Sequence, residues 1–166
     1  MAMVAATLQA GLMDMANVDN ELEAIDNFVS AWSDFAYESD IGGVPATPGT
    51  MDAALATMKG AMTGMNTAGS TAIQAGIQAF WTAVIPLAVT VWPQAPPNVL
   101  TVLAPLPLLS GIAASLDGVF AANTAGELDK NAATTAIAGA IHPLQLGGIA
   151  TITPPPPAPP FPLPLL

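Results

Sequence analysis

Few side chains in this sequence could carry out catalysis or bind a metal, and they form no recognisable motif. His142 is the only histidine, and it stands directly before Pro143. A single imidazole is not a metal site, and no serine lies in a G-x-S-x-G context in which it could be activated as a nucleophile. We therefore expect His142 to interact with the last carbonyl groups of a helix. The sequence predicts no catalytic residue.

Carboxylates are more numerous, and most of the twelve acidic residues precede Ala53. Asp34, Glu38 and Asp40 could offer oxygen ligands to Ca²⁺, but their spacing is not that of an EF-hand loop. Paired carboxylates could also hydrolyse glycosides, although a sugar cleft needs a more polar and aromatic lining. The pattern favours a solvated helix face, and a docking face for a basic partner or a cation is the alternative. We predict no metal and no cofactor.

The composition excludes several classes of protein. The chain is 52% hydrophobic and only 8% charged, with a formal net charge of -10 and no cysteine. Binding of nucleic acid needs a cationic surface, so we expect no nucleic-acid partner. The absence of cysteine removes disulfides, thiolate metal sites and cysteine nucleophiles.

Helical periodicity covers most of the chain. The predicted helices are residues 2–16, a helix after Asn20 that ends before Gly42, a helix that Thr47 caps, residues 110–122 and residues 127–141. Asn20 with Glu23 is typical of a capping box. In this second helix we expect the apolar stripe to be Leu22, Ile25, Val29, Trp32 and Ala36.

The longest apolar segment, residues 71–92, is the predicted core element. Ser70 or Thr71 could cap a helix whose buried positions would be Ile73, Ile77, Phe80, Trp81 and Val84. Pro86 should end or kink it, because proline lacks the backbone donor. We expect the residues from Leu87 to Trp92 to be extended.

The C-terminal residues are predicted to form an arm. Residues 149–153 resemble a short strand, and the prolines that dominate residues 154–164 favour a polyproline II conformation. Since the end of the segment is apolar, we expect it to lie in a groove of a neighbouring chain. The predicted partner-binding residues are Pro154, Pro155, Pro156, Pro157, Phe161, Leu163, Leu165 and Leu166.

Together these patterns predict a mainly α fold. We expect a small bundle of four to five helices over residues 1–146, and an extended arm with a short strand-like segment over residues 147–166. A free monomer normally carries many more surface charges than this chain can provide. The sequence therefore favours either a subunit whose surface is covered in an assembly or a membrane protein.

The membrane alternative rests on two uncharged segments. Residues 71–92 are long enough to cross a bilayer, and residues 99–116 could return as the second helix of a hairpin. The prolines inside both segments, and the lack of flanking basic residues, count against insertion.

The order of segments also resembles a known class of protein. The chain contains AIQAGIQAFW at residues 72–81, a Pro96-Pro97 connector, GVFAANTAGELDKNAATTAIAGAIHP at residues 118–143, and then a double glycine, a short strand and a proline-rich end. This layout resembles small structural proteins of tailed-phage virions. The resemblance implies a non-enzymatic subunit of a tail, neck, baseplate or capsid, whose partners are copies of itself and other structural proteins. It carries over no functional residues.

Overall fold

The computed structural model describes residues 3–15, 20–103, 109–124, 126, 129–145, 148–156 and 158–166. In these residues the fold is mainly helical, with two small antiparallel sheets. The helices are α1 (Ala5–Met15), α2 (Glu21–Tyr37), α3 (Asp52–Ala61), α4 (Met65–Val84), the single turn α5 (Ala88–Val91), α6 (Ile112–Thr124) and α7 (Lys130–Gln145). The strands are β1 (Asp40–Ile41), β2 (Val44–Pro45), β3 (Val99–Leu103), β4 (Ile149–Thr153) and β5 (Phe161–Pro164).

The six longer helices form a closed ring. Helix α1 packs between α2 and α7, α6 packs between α7 and α4, and α3 connects α4 back to α2. Helices α1 and α2 approach each other closely: a Cβ added to Gly11 would lie 2.4 Å from Cβ of Ala31. The predicted helical bundle is therefore confirmed, with more helices than the four to five expected.

Helix α2 has the predicted N-terminal cap, but its buried face differs in part from the predicted stripe. The side-chain oxygen of Asn20 accepts a hydrogen bond from the backbone N–H of Glu23 at 2.9 Å, so the predicted cap is confirmed. Ile25 and Trp32 are buried as expected, but Leu22 is 69% exposed. The stripe is thus wrong at the first turn of the helix.

Helix α4 is the core element that the apolar segment predicts. Its five predicted buried residues are all buried: Ile73, Ile77, Phe80, Trp81 and Val84. Gly69 has non-helical dihedral angles (φ 28°, ψ -100°) and divides α4 into two helical segments, so the segment that carries the buried stripe starts near Ser70 and Thr71 as predicted, and a shorter segment from Met65 precedes it. The extended prediction after Pro86 is wrong. A 3₁₀ turn (Ile85–Leu87) leads into α5, since proline is tolerated in the first turn of a helix.

Two other helix boundaries in the structure differ from the predicted ones. Residues 47–51 form turns rather than the first turn of α3. Helix α7 continues past His142 with Pro143 inside its last turns, although the sequence predicted an end there. The predicted start of that helix, at residue 127, lies outside the described residues.

The larger sheet has the strand order β3-β4-β5, with both pairs antiparallel. It brings Leu100, Ala150 and Ile152 into the core, and α5 packs against β3. The predicted strand at residues 149–153 is confirmed as β4.

The structure does not confirm a polyproline arm that leaves the molecule. Residues 161–164 fold back as β5 and pair with β4, with Ala150 opposite Leu163 and Ile152 opposite Phe161. Because β5 is an edge strand, its prolines do not have to donate to a second neighbour. The final residues also pair with β1: the N–H of Leu166 donates to the carbonyl of Asp40 at 3.1 Å, and the N–H of Asp40 donates to the carbonyl of Leu166 at 2.9 Å.

Candidate functional site

The residues that could do chemistry are not brought together. Both carboxylate oxygens of Glu38 are engaged at the start of α1: one accepts from the backbone N–H of Val4 at 3.1 Å and the other from the hydroxyl of Thr7 at 2.6 Å. Asp40 accepts a hydrogen bond from the N–H of Gly43 at 3.2 Å. No group of three potential metal ligands occurs in the described part of the chain. The arrangement therefore gives no support to a Ca²⁺ site at Asp34, Glu38 and Asp40.

His142 serves to join two helices. Its Nε2 lies 2.9 Å from the carbonyl oxygen of Met3, and its ring lies edge-on to Phe35 with a centroid distance of 6.1 Å. The prediction that His142 would bind the last carbonyls of its own helix is not what the structure shows. Its partner instead comes from the residue that precedes α1.

Among the described residues, Tyr37 is the titratable residue with a clearly shifted pKa. Its hydroxyl donates to the Asp52 carboxylate at 2.9 Å and accepts from the backbone N–H of Met51 at 3.0 Å. Burial raises the pKa of the Tyr37 phenol above its ordinary value, and the nearby Asp52 carboxylate acts in the same direction, against the effect of the Met51 N–H. The contact fixes the start of α3 on the end of α2.

This pKa shift predicts a loss of stability at alkaline pH. Because the folded state holds the phenolic proton more tightly, its contribution is complete below the ordinary pKa near 10 and disappears as the pH rises through the folded-state pKa. We expect the urea midpoint to fall more steeply above pH 10 in the unmodified chain than in Tyr37→Phe. Tyr37 is the single tyrosine, so phenolate absorbance follows the same titration directly. Equal slopes in the two proteins would contradict the prediction.

The distribution of charge distinguishes one part of the surface. Residues 85–103 and 148–166, which supply α5 and the larger sheet, contain no acidic residue, basic residue or histidine. The acidic residues that the structure describes lie mainly on α2 and on the turns that follow it. In a molecule with a net charge of -10, the larger sheet therefore contains no charged residue, although Asp40 pairs with Leu166 beside it.

One side of this sheet faces away from the core, and we name it the outer sheet face. Val99 is 50% exposed and Ile149 is 51% exposed, whereas their neighbours Leu100 and Ala150 are buried. The hydroxyl of Thr101 donates to the carbonyl of Thr151 at 3.0 Å. By strand alternation and register the outer sheet face consists of Val99, Thr101, Ile149, Thr151, Thr153, Pro162 and Pro164.

A groove adjoins the outer sheet face. It has a volume of about 290 Å³ and lies between α5 and the start of β3. Its lining is mostly apolar: Val89, Pro93, Gln94, Pro96, Pro97, Asn98, Val99 and Leu100. Val99 belongs to both features, so the groove and the outer sheet face form one uncharged surface.

The predicted partner-binding residues that the structure describes lie in or next to strands β4 and β5, but they differ in exposure. Leu165 is fully buried in the chain's own core, and Leu163 is half-buried. Phe161 and Leu166 remain 40% and 41% exposed. Pro154 is half-buried, Pro155 and Pro156 are exposed, and Pro157 lies outside the described residues.

Of the two segments on which the membrane alternative rests, only the first is a long apolar helix in the described residues. Within the described residues a single helical stretch, Ala68–Val91, is long and apolar enough to cross a bilayer, with a mean hydropathy of 1.5. Core helices of soluble proteins meet the same criterion, and 44% of the 18-residue window that meets it is buried inside the chain. The proposed return segment begins with strand β3 instead of a helix.

Comparison of the chain with protein-family models, with curated proteins and with solved structures finds no match.

Proposed function

We propose that this chain is a non-enzymatic structural subunit of a large protein assembly, of the kind found in the virions of tailed phages. Its neighbours are other copies of itself and other structural proteins of the particle. The observation that supports this proposal is the uncharged surface formed by the outer sheet face and the groove. Such a surface is typical of the desolvated centre of a protein interface, from which charged residues are depleted.

The polar groups of the outer sheet face are already partly satisfied within the sheet. The Thr101 hydroxyl lies 3.2 Å from the Thr153 hydroxyl and also bonds the Thr151 carbonyl. Covering these groups costs less free energy than covering unpaired hydroxyls, because a buried polar group without a partner carries the full desolvation penalty. The apolar neighbours contribute roughly 25 cal/mol for each Å² removed from water.

The structure changes the role of the C-terminal residues in this proposal. An arm that lies on a neighbour would leave Leu165 exposed in the free chain, but Leu165 is buried within its own molecule. In the proposed assembly the neighbour instead contacts exposed residues of strand β5, which is paired with β4; these are Phe161, Pro162 and Pro164.

The proposal is tested by the native mass of the chain's complex and by one pair of variants. We expect Ile149→Glu, which places a carboxylate on the outer sheet face, to abolish incorporation into the complex without changing the thermal midpoint of the isolated chain. Leu22→Glu is the matched control, because Leu22 is also exposed but lies on the acidic side of the molecule. A native mass equal to a single chain, or equal incorporation of both variants, would overturn the proposal.

A further inference from the structure

The last six residues of the chain, 161–166, lie in a site that pairs with them on two sides. On one side is β4, and the N–H of Leu165 donates to the carbonyl of Gly148 at 2.9 Å. On the other side is β1, where Leu166 and Asp40 exchange both backbone hydrogen bonds, at 3.1 and 2.9 Å. We name residues 40–42 and 148–152 the strand-binding site.

The strand-binding site also accommodates two side chains of the segment. Leu165 is fully buried and forms a bridge with Ile41, and Leu163 is half-buried. Gly42 leaves room for Leu163, because a Cβ added to this glycine would lie 2.7 Å from Cδ1 of the leucine. The site therefore recognises apolar side chains at alternate positions of a strand.

The prolines of the segment fix its register in the site. Backbone N–H groups of a strand point to alternate sides, so the N–H of Leu165 directed at β4 implies that positions 162 and 164 face away from β4. Both positions are prolines, and their missing donors cost no hydrogen bond with β4. A shift of one residue would turn both prolines towards β4, and a shift of two would bring Pro164 to the carbonyl of Asp40. The segment thus fits the site in a defined register.

The connector before the segment is exposed and rich in proline. Residues 154–160 are all proline except Ala158. Every described residue from Pro155 to Pro160 is exposed, and the N–H of Ala158 donates to the carbonyl of Pro155 at 3.3 Å, within the connector itself. Proline-rich chains favour an extended conformation of about 3.1 Å per residue, so these seven residues can reach roughly 22 Å from the end of β4.

We propose that the strand-binding site takes residues 161–166 of a second copy of the chain, so that the C-terminal strand is exchanged between copies in the assembly. This inference rests on the proposed function and names one of its contacts. The segment that fills the site in the structure identifies the occupant, because the same six residues from another copy would make the same hydrogen bonds and bury the same leucines. Exchange of an identical element needs no new complementary surface.

The connector also limits the repulsion between two acidic chains. The net charge of each chain is -10, but neither the connector nor the exchanged segment has a charged side chain. At a salt concentration of about 0.1 M, charges separated by more than roughly 10 Å are largely screened. A connector that reaches roughly 22 Å lets the two bodies stay farther apart than this length while the strand is exchanged.

Because the chain has no cysteine, exchange can be detected as a disulfide between two variants. Thr151 and Pro162 are opposite each other on the outer sheet face, with Cβ atoms about 4.5–5.5 Å apart. Isotope-labelled Thr151→Cys and unlabelled Pro162→Cys are incubated together as folded chains below their thermal midpoints and then oxidised mildly. We expect mass spectrometry to find a disulfide between the labelled and the unlabelled chain, because residue 162 of one copy lies opposite residue 151 of the other.

Thr101→Cys replaces Thr151→Cys in the matched control mixture. Thr101 lies on the same face but on β3, two strand spacings or about 10 Å from β5, which is too far for a disulfide. We therefore expect no disulfide between Thr101→Cys and Pro162→Cys above the level of random collision.

A double variant, with Thr151→Cys and Pro162→Cys in one chain, locks the segment in its own site. We expect it to form the disulfide internally, which also shows that it folds. The oxidised double variant should fail to enter the native complex, because its strand cannot be exchanged, and the same variant after reduction should enter it.

Three results would overturn the inference: no disulfide between Thr151→Cys and Pro162→Cys copies, equal cross-linking in the control mixture, or equal incorporation of the oxidised and reduced double variant. Failure of the double variant to form its internal disulfide would overturn it as well, since the segment would not occupy the described site. The proposed function would survive each of these results, because the native mass and the Ile149→Glu comparison test whether the chain is a subunit without reference to exchange.

Discussion

Leu165→Ala is expected to lower the free energy of unfolding of the isolated chain by about 2–5 kcal/mol, the usual cost of removing a fully buried leucine side chain. Leu165 is 0% exposed and belongs to the main core, and its backbone N–H donates to the carbonyl of Gly148 at 2.9 Å. Its truncation would leave a cavity where β5, β4 and the β1 turn meet, because residue 165 also forms a bridge with Ile41. Urea unfolding followed by tryptophan fluorescence measures the change.

The neighbouring residue is the control. Leu166 is 41% exposed, so Leu166→Ala should change the free energy of unfolding by less than about 0.5 kcal/mol, as most surface substitutions do. An arm that binds only a neighbouring chain would give small effects for both variants in the isolated protein. Equal, small values would therefore show that the C-terminal residues do not close on their own sheet.

The position of these residues could be predicted from the sequence only in part. The apolar residues near the end of the chain predicted a segment that lies in a groove of a neighbouring chain, whereas the structure pairs this segment with the chain's own strand β4. The same pattern could not say which surface, because pairing of β5 with β4 depends on where the bundle places residue 150 in space. Because proline has no backbone N–H to donate, these residues do not fit a central strand, and the edge position of β5 satisfies this constraint.

The small hairpin of β1 and β2 was not predicted from the sequence. Gly42 and Gly43 were interpreted as the end of a helix, yet both have positive φ values, 62° and 81°, and connect two strands. A Gly-Gly pair between short extended segments is typical of a two-residue hairpin loop. This hairpin matters because β1 supplies the backbone groups that hold Leu166.

The apolar composition is accounted for mainly by the core. The folded chain exposes 7762 Å², close to the roughly 7,600 Å² expected for a compact monomer of 16.7 kDa. Most large apolar side chains of the described residues are inside, and the expectation that other chains cover part of the surface stays a prediction. What the sequence did predict correctly is helix α4, whose buried stripe follows directly from the spacing of its large apolar residues.

The candidate site was not predictable from motifs, because it consists of a surface without charge. Its two parts, residues 85–103 and 148–166, are far apart in the sequence and meet only through the pairing of β3 with β4. The sequence alone shows that neither part contains a charged residue. The register that pairs them, with Val99 opposite Thr153, follows only from the structure.

Trp81→Phe is expected to destabilise the chain by about 1–3 kcal/mol beyond the packing that it removes, because the indole N–H of Trp81 makes a buried hydrogen bond. The indole N–H of Trp81 donates to Oε1 of Gln145 at 2.6 Å, and Gln145 is itself fully buried. Its loss leaves a buried amide oxygen without that partner, at the cost of an unsatisfied acceptor. Among the described residues the indole N–H of Trp32 has no hydrogen-bond partner, so Trp32→Phe removes packing and no hydrogen bond.

The aromatic packing of the two positions differs. The Trp81 ring lies 5.2 Å from that of Phe80, whereas the Trp32 ring contacts Phe28 at 6.5 Å, Phe35 at 5.3 Å and Phe80 at 5.8 Å. Trp32→Phe therefore loses more aromatic packing, and the hydrogen bond is measured by a second substitution at its acceptor. Adding Gln145→Leu to Trp81→Phe should recover part of the loss, since it removes the orphaned amide. No recovery in the double variant would show that the hydrogen bond between α4 and α7 contributes nothing to stability.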